Sequence, residues 1–173
     1  MIPIEEEMRG KVAIVTGATR GLGQGIAIGL AEAGADIVCV GRSDDSETQE
    51  KIKALGREYL NIRMSVSEEN APEEIVKQTV ERFGKLDILV NAAGIPGPSA
   101  RVEDYSFSDA KKVLSVNLFG TFLMMHTVLP VMQAQKHGAI LNFGSVSGVV
   151  GYPFESAYGA SKAAIIHLTK NAA

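Results

Sequence analysis

Short apolar runs alternate along the chain with longer stretches in which apolar residues recur every three or four positions. Val12-Ala13-Ile14-Val15-Thr16 is a near-continuous apolar run of the kind a strand buried on both faces shows. Leu22, Ile26 and Leu30 then recur every fourth residue and mark one helix face, which Gly34 stops. Residues 37–40 predict a second strand, 46–59 a helix, and 60–64 a third strand. Pro72 stands near the start of a further helix, where its missing N–H is no loss, and Gly84 ends that helix. Residues 86–90 predict a fourth strand and 94–99 a loop rich in Gly and Pro. A long helix over 108–135, bent or shortened at Pro130, precedes a fifth strand over 139–143. A last helix starts near residue 156.

Strand-helix alternation of this kind predicts an α/β fold: a doubly wound parallel sheet with helices on both faces and right-handed crossovers. No repeat or linker divides the chain, so residues 1–173 read as one domain. Composition leaves that picture intact. The chain is 46% hydrophobic and 21% charged, enough apolar content for a packed core. A net charge of −3 gives no basic excess for nucleic acid. No apolar run approaches the ~20 residues of a membrane span. Residues 1–10, with Glu5, Glu6 and Glu7, lack the basic-then-apolar layout of a signal peptide. A cytoplasmic protein without a membrane partner is the expectation.

The single cysteine, Cys39, excludes a disulfide within the chain and reads as a small buried hydrophobe rather than a reactive thiol. His126, His137 and His167 stand at no metal-ligand spacing and read as surface or packing residues, so no metal is expected. The acidic pairs Asp44-Asp45, Glu68-Glu69 and Glu73-Glu74 read as solvated charges of loops and first helical turns, not as paired acid-base carboxylates.

The first strand runs directly into Thr16-Gly17-Ala18-Thr19-Arg20-Gly21-Leu22-Gly23, where a helix begins. A phosphate held at a helix N-terminus needs backbone N–H groups and a close approach of the chain, and glycine removes the Cβ that would block it. Strand, glycines and amphipathic helix in that order point to dinucleotide binding, against the plainer reading of a tight turn.

The spacing, Gly-x-x-x-Gly-x-Gly, resembles the cofactor turn of the short-chain dehydrogenase/reductase family. Four further elements carry the resemblance along nearly the whole chain. Asn91-Ala92-Ala93-Gly94 is similar to the family's NNAG element, with Ala92 in place of the second asparagine. Asn117 sits in a Ser-Val-Asn-Leu stretch like the context of the family's catalytic asparagine. Gly144-Ser145 precedes Tyr158 at the family's spacing, and Tyr158 to Lys162 matches YxxxK. The resemblance implies a Rossmann-like three-layer fold of nearer 250 residues. It therefore implies that the chain lacks the last two strands and the substrate-covering loop and belongs to a longer polypeptide.

The resemblance also implies the cofactor contacts: Gly17, Thr19, Arg20, Gly21, Leu22 and Gly23 in the turn, Arg42 after strand two, Ser65 and Val66 after strand three, Asn91, Ala92, Ala93 and Gly94 after strand four, and Tyr158 with Lys162. Where the family often has an adenine-contacting Asp, this chain has the uncharged Ser65. Gly41 stands where relatives that use NAD carry a carboxylate for the ribose 2′-hydroxyl. Arg20 and Arg42 offer guanidinium groups to a 2′-phosphate, which favours NADP(H) over NAD(H). Solvation or stacking on adenine is the alternative for both, and the nearby Asp44 and Asp45 work against a phosphate.

Tyr158 and Lys162 lie four residues apart on a predicted helix and share a face. A free phenol has a pKa of ~10, and an ammonium beside it favours the phenolate. That suits general acid-base work, and a serine hydroxyl suits the holding of a substrate oxygen. The resemblance assigns roles accordingly. Tyr158 would exchange a proton with the carbonyl or alcohol oxygen. Lys162 would also bind the nicotinamide ribose. Ser145 would orient the substrate oxygen, and Asn117 would anchor a water leading from Lys162 to solvent. Asn117 reads alternatively as a helix-kink residue.

The function implied is carbonyl-alcohol interconversion by hydride transfer on a small-molecule carbonyl or alcohol. The turn and first helix are similar to sugar-acid dehydrogenases of the family, and the Ser145 to Lys162 region to 3-oxoacyl-carrier-protein reductases. The family's habits imply a homodimer or homotetramer for the full-length protein. A non-catalytic NAD(P)-binding regulator on the same fold, or a purely structural fragment, are the alternatives. The set of Ser145, Tyr158 and Lys162 argues against the regulator, and absence of cofactor binding would favour the structural fragment.

Overall fold

The computed structural model describes residues 7–173; the Glu5 and Glu6 of the acidic start lie outside the described residues. The chain runs β1 (Val12–Thr16), α1 (Gly21–Glu32), β2 (Asp36–Val40), α2 (Ser46–Ala54), β3 (Tyr59–Ile62), α3 (Ala71–Phe83), β4 (Ile88–Asn91), α4 (Phe107–Leu114), α5 (Gly120–Gln135), β5 (Ala139–Asn142) and α6 (Ser156–Ala172). All strand pairs are parallel, in the order β3-β2-β1-β4-β5. Chain order reverses beside β1, and the crevice where it does so is the usual place for a ligand in such sheets.

Strand residues alternate between the two faces. Val12, Ile14, Val38 and Val40 pack with Ile75 and Val76 of α3 and Met124, Val128 and Met132 of α5. Ala13, Val15, Ile37 and Cys39 pack on the other face with Ala27 and Ala31 of α1 and Ile52 of α2. β1 is buried along its whole length, which explains its unbroken apolar run. Cys39 is buried, as expected, and burial pushes its thiol up to about 11.

Four expectations need correction. Helix α2 stops at Ala54 rather than continuing to residue 59, because Gly56 takes a left-handed φ of 70° and Tyr59 already pairs with Ile37. The long helix is interrupted by a π-helical turn, Ser115–Phe119, and Pro130 lies inside α5, which runs on to Gln135. The stretch Phe107–Gln135 is in fact long and apolar enough to cross a membrane by length and composition, at a mean hydropathy of 1.5; here its Met124, Val128 and Met132 cover the sheet. Asp45 is not a solvated loop charge. It is buried, and accepts hydrogen bonds from Tyr59 Oη and from Asn61 Nδ2, the latter at 2.9 Å.

At the opposite end of the sheet from the glycine turn, Asp87 is 3% exposed and binds the entry to three strands. Its carboxylate accepts the Val12 N–H at 2.9 Å and lies 3.3 Å from Lys11 Nζ, 3.2 Å from Lys85 Nζ and 3.0 Å from His137 Nε2.

Candidate active site

A cleft of about 380 Å³ opens where β1 to β4 end. Of the predicted cofactor residues it is lined by Gly17, Thr19, Arg20, Gly21, Leu22, Gly23, Arg42, Ser65, Val66, Ala92, Ala93 and Gly94. The turn that shapes it has no room for side chains. A Cβ on Gly23 would lie 2.3 Å from the Gly17 carbonyl oxygen, and one on Gly17 would lie 2.9 Å from the Ala93 backbone. Thr16 Oγ1 ties the two walls by accepting the Ala93 N–H at 3.1 Å. Helix α1 meets the cleft with no side-chain cap and no acid in its first turn, so its N-terminal amides face the cleft without a built-in anion. An open cleft over free helix amides fits a dinucleotide pyrophosphate.

Arg20 and Arg42 both line this cleft, and among the described residues neither forms an ion pair with a carboxylate. Asp45 turns away to Tyr59 and Asn61, and Asp44 accepts from Ser46 Oγ at 2.6 Å. Position 41 is confined by Thr19: a Cβ there would stand 2.6 Å from the threonine Cγ2. Ser65 is half-buried and pairs with Ser67 at 2.9 Å between hydroxyl oxygens. Asn91 does not line the cleft; its Nδ2 donates to Asn142 Oδ1 at 2.9 Å and links β4 to β5.

The four predicted chemical residues gather beyond the Gly94 wall. Lys162 is 6% exposed, donates to the Phe143 carbonyl at 2.7 Å, and sets its ammonium 5.7 Å from the Tyr158 ring centroid. Burial pulls its pKa below the ordinary lysine value. Asn117, fully buried in the π-helical turn, accepts the Ile95 N–H at 2.8 Å and donates to the Ile95 carbonyl at 3.0 Å. It also donates to Ser161 Oγ at 3.1 Å, and Ser161 donates to the Tyr158 carbonyl at 2.6 Å. Asn117 stands in the π-helical turn that breaks the long helix, and from there it holds both backbone groups of the cleft-lining Ile95. Ser145 caps the 3-10 turn Val146–Gly148, with its Oγ accepting the Ser147 N–H at 3.2 Å. That turn packs directly on α6, since a Cβ on Gly148 would lie 2.7 Å from the backbone at Lys162 and Ala163.

Sequence reasoning missed Ser43, Met64, Ile95 and Val116 in the cleft wall, and the Phe143 carbonyl and Ser161 in the chemical group. Ser161 was findable, three residues after Tyr158 and so on its helix face. A backbone carbonyl acting as a lysine's acceptor carries no side-chain signature. A second cavity, about 400 Å³ along the outer side of β5, is lined by none of the predicted site residues.

Residues 11–173 match the family model described as short chain dehydrogenase. The chain is 40% identical over 164 residues to the 2-dehydro-3-deoxy-D-gluconate 5-dehydrogenase of Dickeya dadantii, covering 94% of this chain and 64% of that protein. It is 40% identical over 168 residues to a 3-oxoacyl-[acyl-carrier-protein] reductase of Staphylococcus epidermidis, covering 94% and 68%. Among solved structures, NAD+-bound xylitol dehydrogenase superposes with a TM-score of 0.94 at 37% identity, over 97% of this chain and 65% of that one. Levodione reductase superposes with a TM-score of 0.93 at 34% identity, over 96% and 66%. The chain thus spans about two thirds of the length of the relatives it matches.

Proposed function

The chain belongs to the short-chain dehydrogenase family, and from that premise we propose that it is an NAD(P)-dependent oxidoreductase interconverting a carbonyl compound and a secondary alcohol. One observation carries the reading: Lys162, Tyr158 and Asn117 form a connected group that meets the glycine cleft at Ile95. The cleft-facing amides of α1 would hold the pyrophosphate of a nicotinamide cofactor, which would supply or accept the hydride. Tyr158 gives its phenolic proton to the carbonyl oxygen in reduction, or takes the hydroxyl proton in oxidation. Lys162, shielded from water, supplies the positive charge that favours the phenolate. Ser145 positions the substrate oxygen by hydrogen bond.

The cofactor is NADP(H) in preference to NAD(H). Among the described residues Arg20 and Arg42 pair with no carboxylate and line the cleft, and neither Asp44 nor Asp45 does. Position 41 carries no carboxylate, the feature that rejects a 2′-phosphate, and a Cβ there would oblige the Thr19 side chain to shift. We read residues 1–173 as one dinucleotide-binding domain of a cytoplasmic enzyme. The exposed Phe119 and Phe122, the latter stacked on His126 with ring centroids 6.3 Å apart, suit self-association through α5.

Replacement of Tyr158 by Phe tests the reading. It should reduce kcat by about 100-fold or more while cofactor Kd stays within about twofold. Turnover like that of the wild type would remove Tyr158 from the chemistry. Tight cofactor binding without turnover across ketones, 3-oxoacyl thioesters and sugar acids would favour a regulator instead.

A further inference from the structure

The loop between Ser145 and Tyr158 carries a carboxylate that no step above uses. Ser147 donates its backbone N–H to Ser145 Oγ at 3.2 Å and its hydroxyl to Glu155 Oε2 at 2.5 Å. One residue thus links the Glu155 carboxylate to the Ser145 hydroxyl. Glu155 is half-buried, precedes α6 by one residue, and accepts the Gly159 N–H on its carbonyl at 2.7 Å. Among the described residues it forms no ion pair. The cation of the facing loop, Arg101, pairs with Glu103 at 3.8 Å.

Several other residues of this loop are apolar and open to solvent. Val146 is 66% exposed, Val149 75%, Tyr152 56% and Phe154 50%. Phe154 holds a left-handed φ of 68°, a conformation that bulky residues rarely adopt and that clusters at functional sites. Its carbonyl accepts the Ala100 N–H at 3.3 Å, so the loop after β4 and the entry to α6 form one wall.

We infer that this wall selects an uncharged carbonyl compound with an apolar substituent, and that Glu155 turns away substrates bearing a carboxylate near the reacting carbon. The inference rests on the dehydrogenase reading above. A substrate carboxylate brought to this wall meets the like charge of Glu155, whereas an ester or alkyl ketone meets the valines and aromatics.

A matched pair of substrates tests it: ethyl 3-oxobutanoate and 3-oxobutanoate, reduced with NADPH by the full natural chain. The wild type should favour the ester in kcat/KM by about tenfold or more. Glu155→Gln, which keeps shape and removes charge, should narrow that ratio to within about threefold, while Glu155→Asp should keep it. Equal or better use of the acid by the wild type overturns the inference, and so does a ratio unmoved in Glu155→Gln. If melting shows that variant misfolded, the wild-type ratio alone decides. Failure to reduce either compound or any other ketone sinks the dehydrogenase reading itself, a result visible before any variant is made.

Discussion

At position 41 the space for a side chain is set by Thr19, whose Cγ2 would stand 2.6 Å from a Cβ there. The pairing therefore carries a prediction about cofactor choice. Thr19→Ala opens the position, and adding Gly41→Asp then places a carboxylate where a ribose 2′-substituent is read. Charge repulsion should lower the NADPH-to-NADH ratio of kcat/KM by about tenfold or more in the double variant. Gly41→Asp alone should also lose thermal stability, since the threonine must shift. Steady-state kinetics with both cofactors checks the first part and a melting curve the second. Residues of this kind were legible by degrees. Tyr158 and Lys162 stood out by their helical spacing, and Asn117 by its Ser-Val-Asn-Leu context. Glu155 did not, because its significance lies in the bend that brings it to Ser147, and a bend at Phe154 with positive φ has no glycine to announce it.

Among the elements, the connection from β2 to α2 is held harder than its polar sequence suggests. Asp45 is anchored to β3 by Tyr59 and Asn61, and Thr48 donates to the Ala18 carbonyl of the glycine turn at 3.1 Å while accepting from Gln24 at 2.9 Å. Arg42 and Ser43 hang between these anchors and line the cleft. Tyr59→Phe removes one donor from a buried carboxylate, which should cost about 1–3 kcal/mol of stability. Because the loosened segment carries Arg42, the KM for NADPH should rise more than the KM for NADH, with kcat little changed. Equal shifts for both cofactors would confine Tyr59 to a structural role. Strand and helix order was readable from apolar period alone, since β1 and β2 are buried on both faces and α1 and α3 repeat at helical spacing. The break at Ser115–Phe119 was not, because apolar residues (Val113, Val116, Leu118, Phe119) run through it and only the hydrogen-bond pattern changes. Likewise Asp45 reads as solvated until β3 is paired beside β2, a contact between residues sixteen apart.

For the molecule as a whole, the sheet has a working end and a binding end. The cleft collects residues from the C-terminal ends of four strands, whereas Asp87 joins the N-terminal ends of β1, β4 and β5 through one carboxylate. Burial by itself would raise the pKa of Asp87. The Val12 amide and the ammonium groups of Lys85 and Lys11 outweigh it and hold the carboxyl below the ordinary carboxylate range. Stability linked to this group is therefore fully present above the unfolded value of about 3.9. Below it the unfolded chain takes up the proton first, and the contribution shrinks until the folded carboxyl is protonated too. Asp87→Asn should lower stability at about pH 7 by roughly 1–3 kcal/mol, because the buried Val12 N–H keeps only a weaker acceptor. The variant should also lose less of its remaining stability than the wild type between about pH 7 and about pH 3. Denaturant unfolding at the two pH values measures both quantities. Equal acid sensitivity in the two proteins would mean that other carboxylates govern the acid limb. Because Asp87 lies across the sheet from the cleft, cofactor Kd at neutral pH should not follow the loss of stability, and a parallel fall in affinity would show that the two ends of the sheet are coupled.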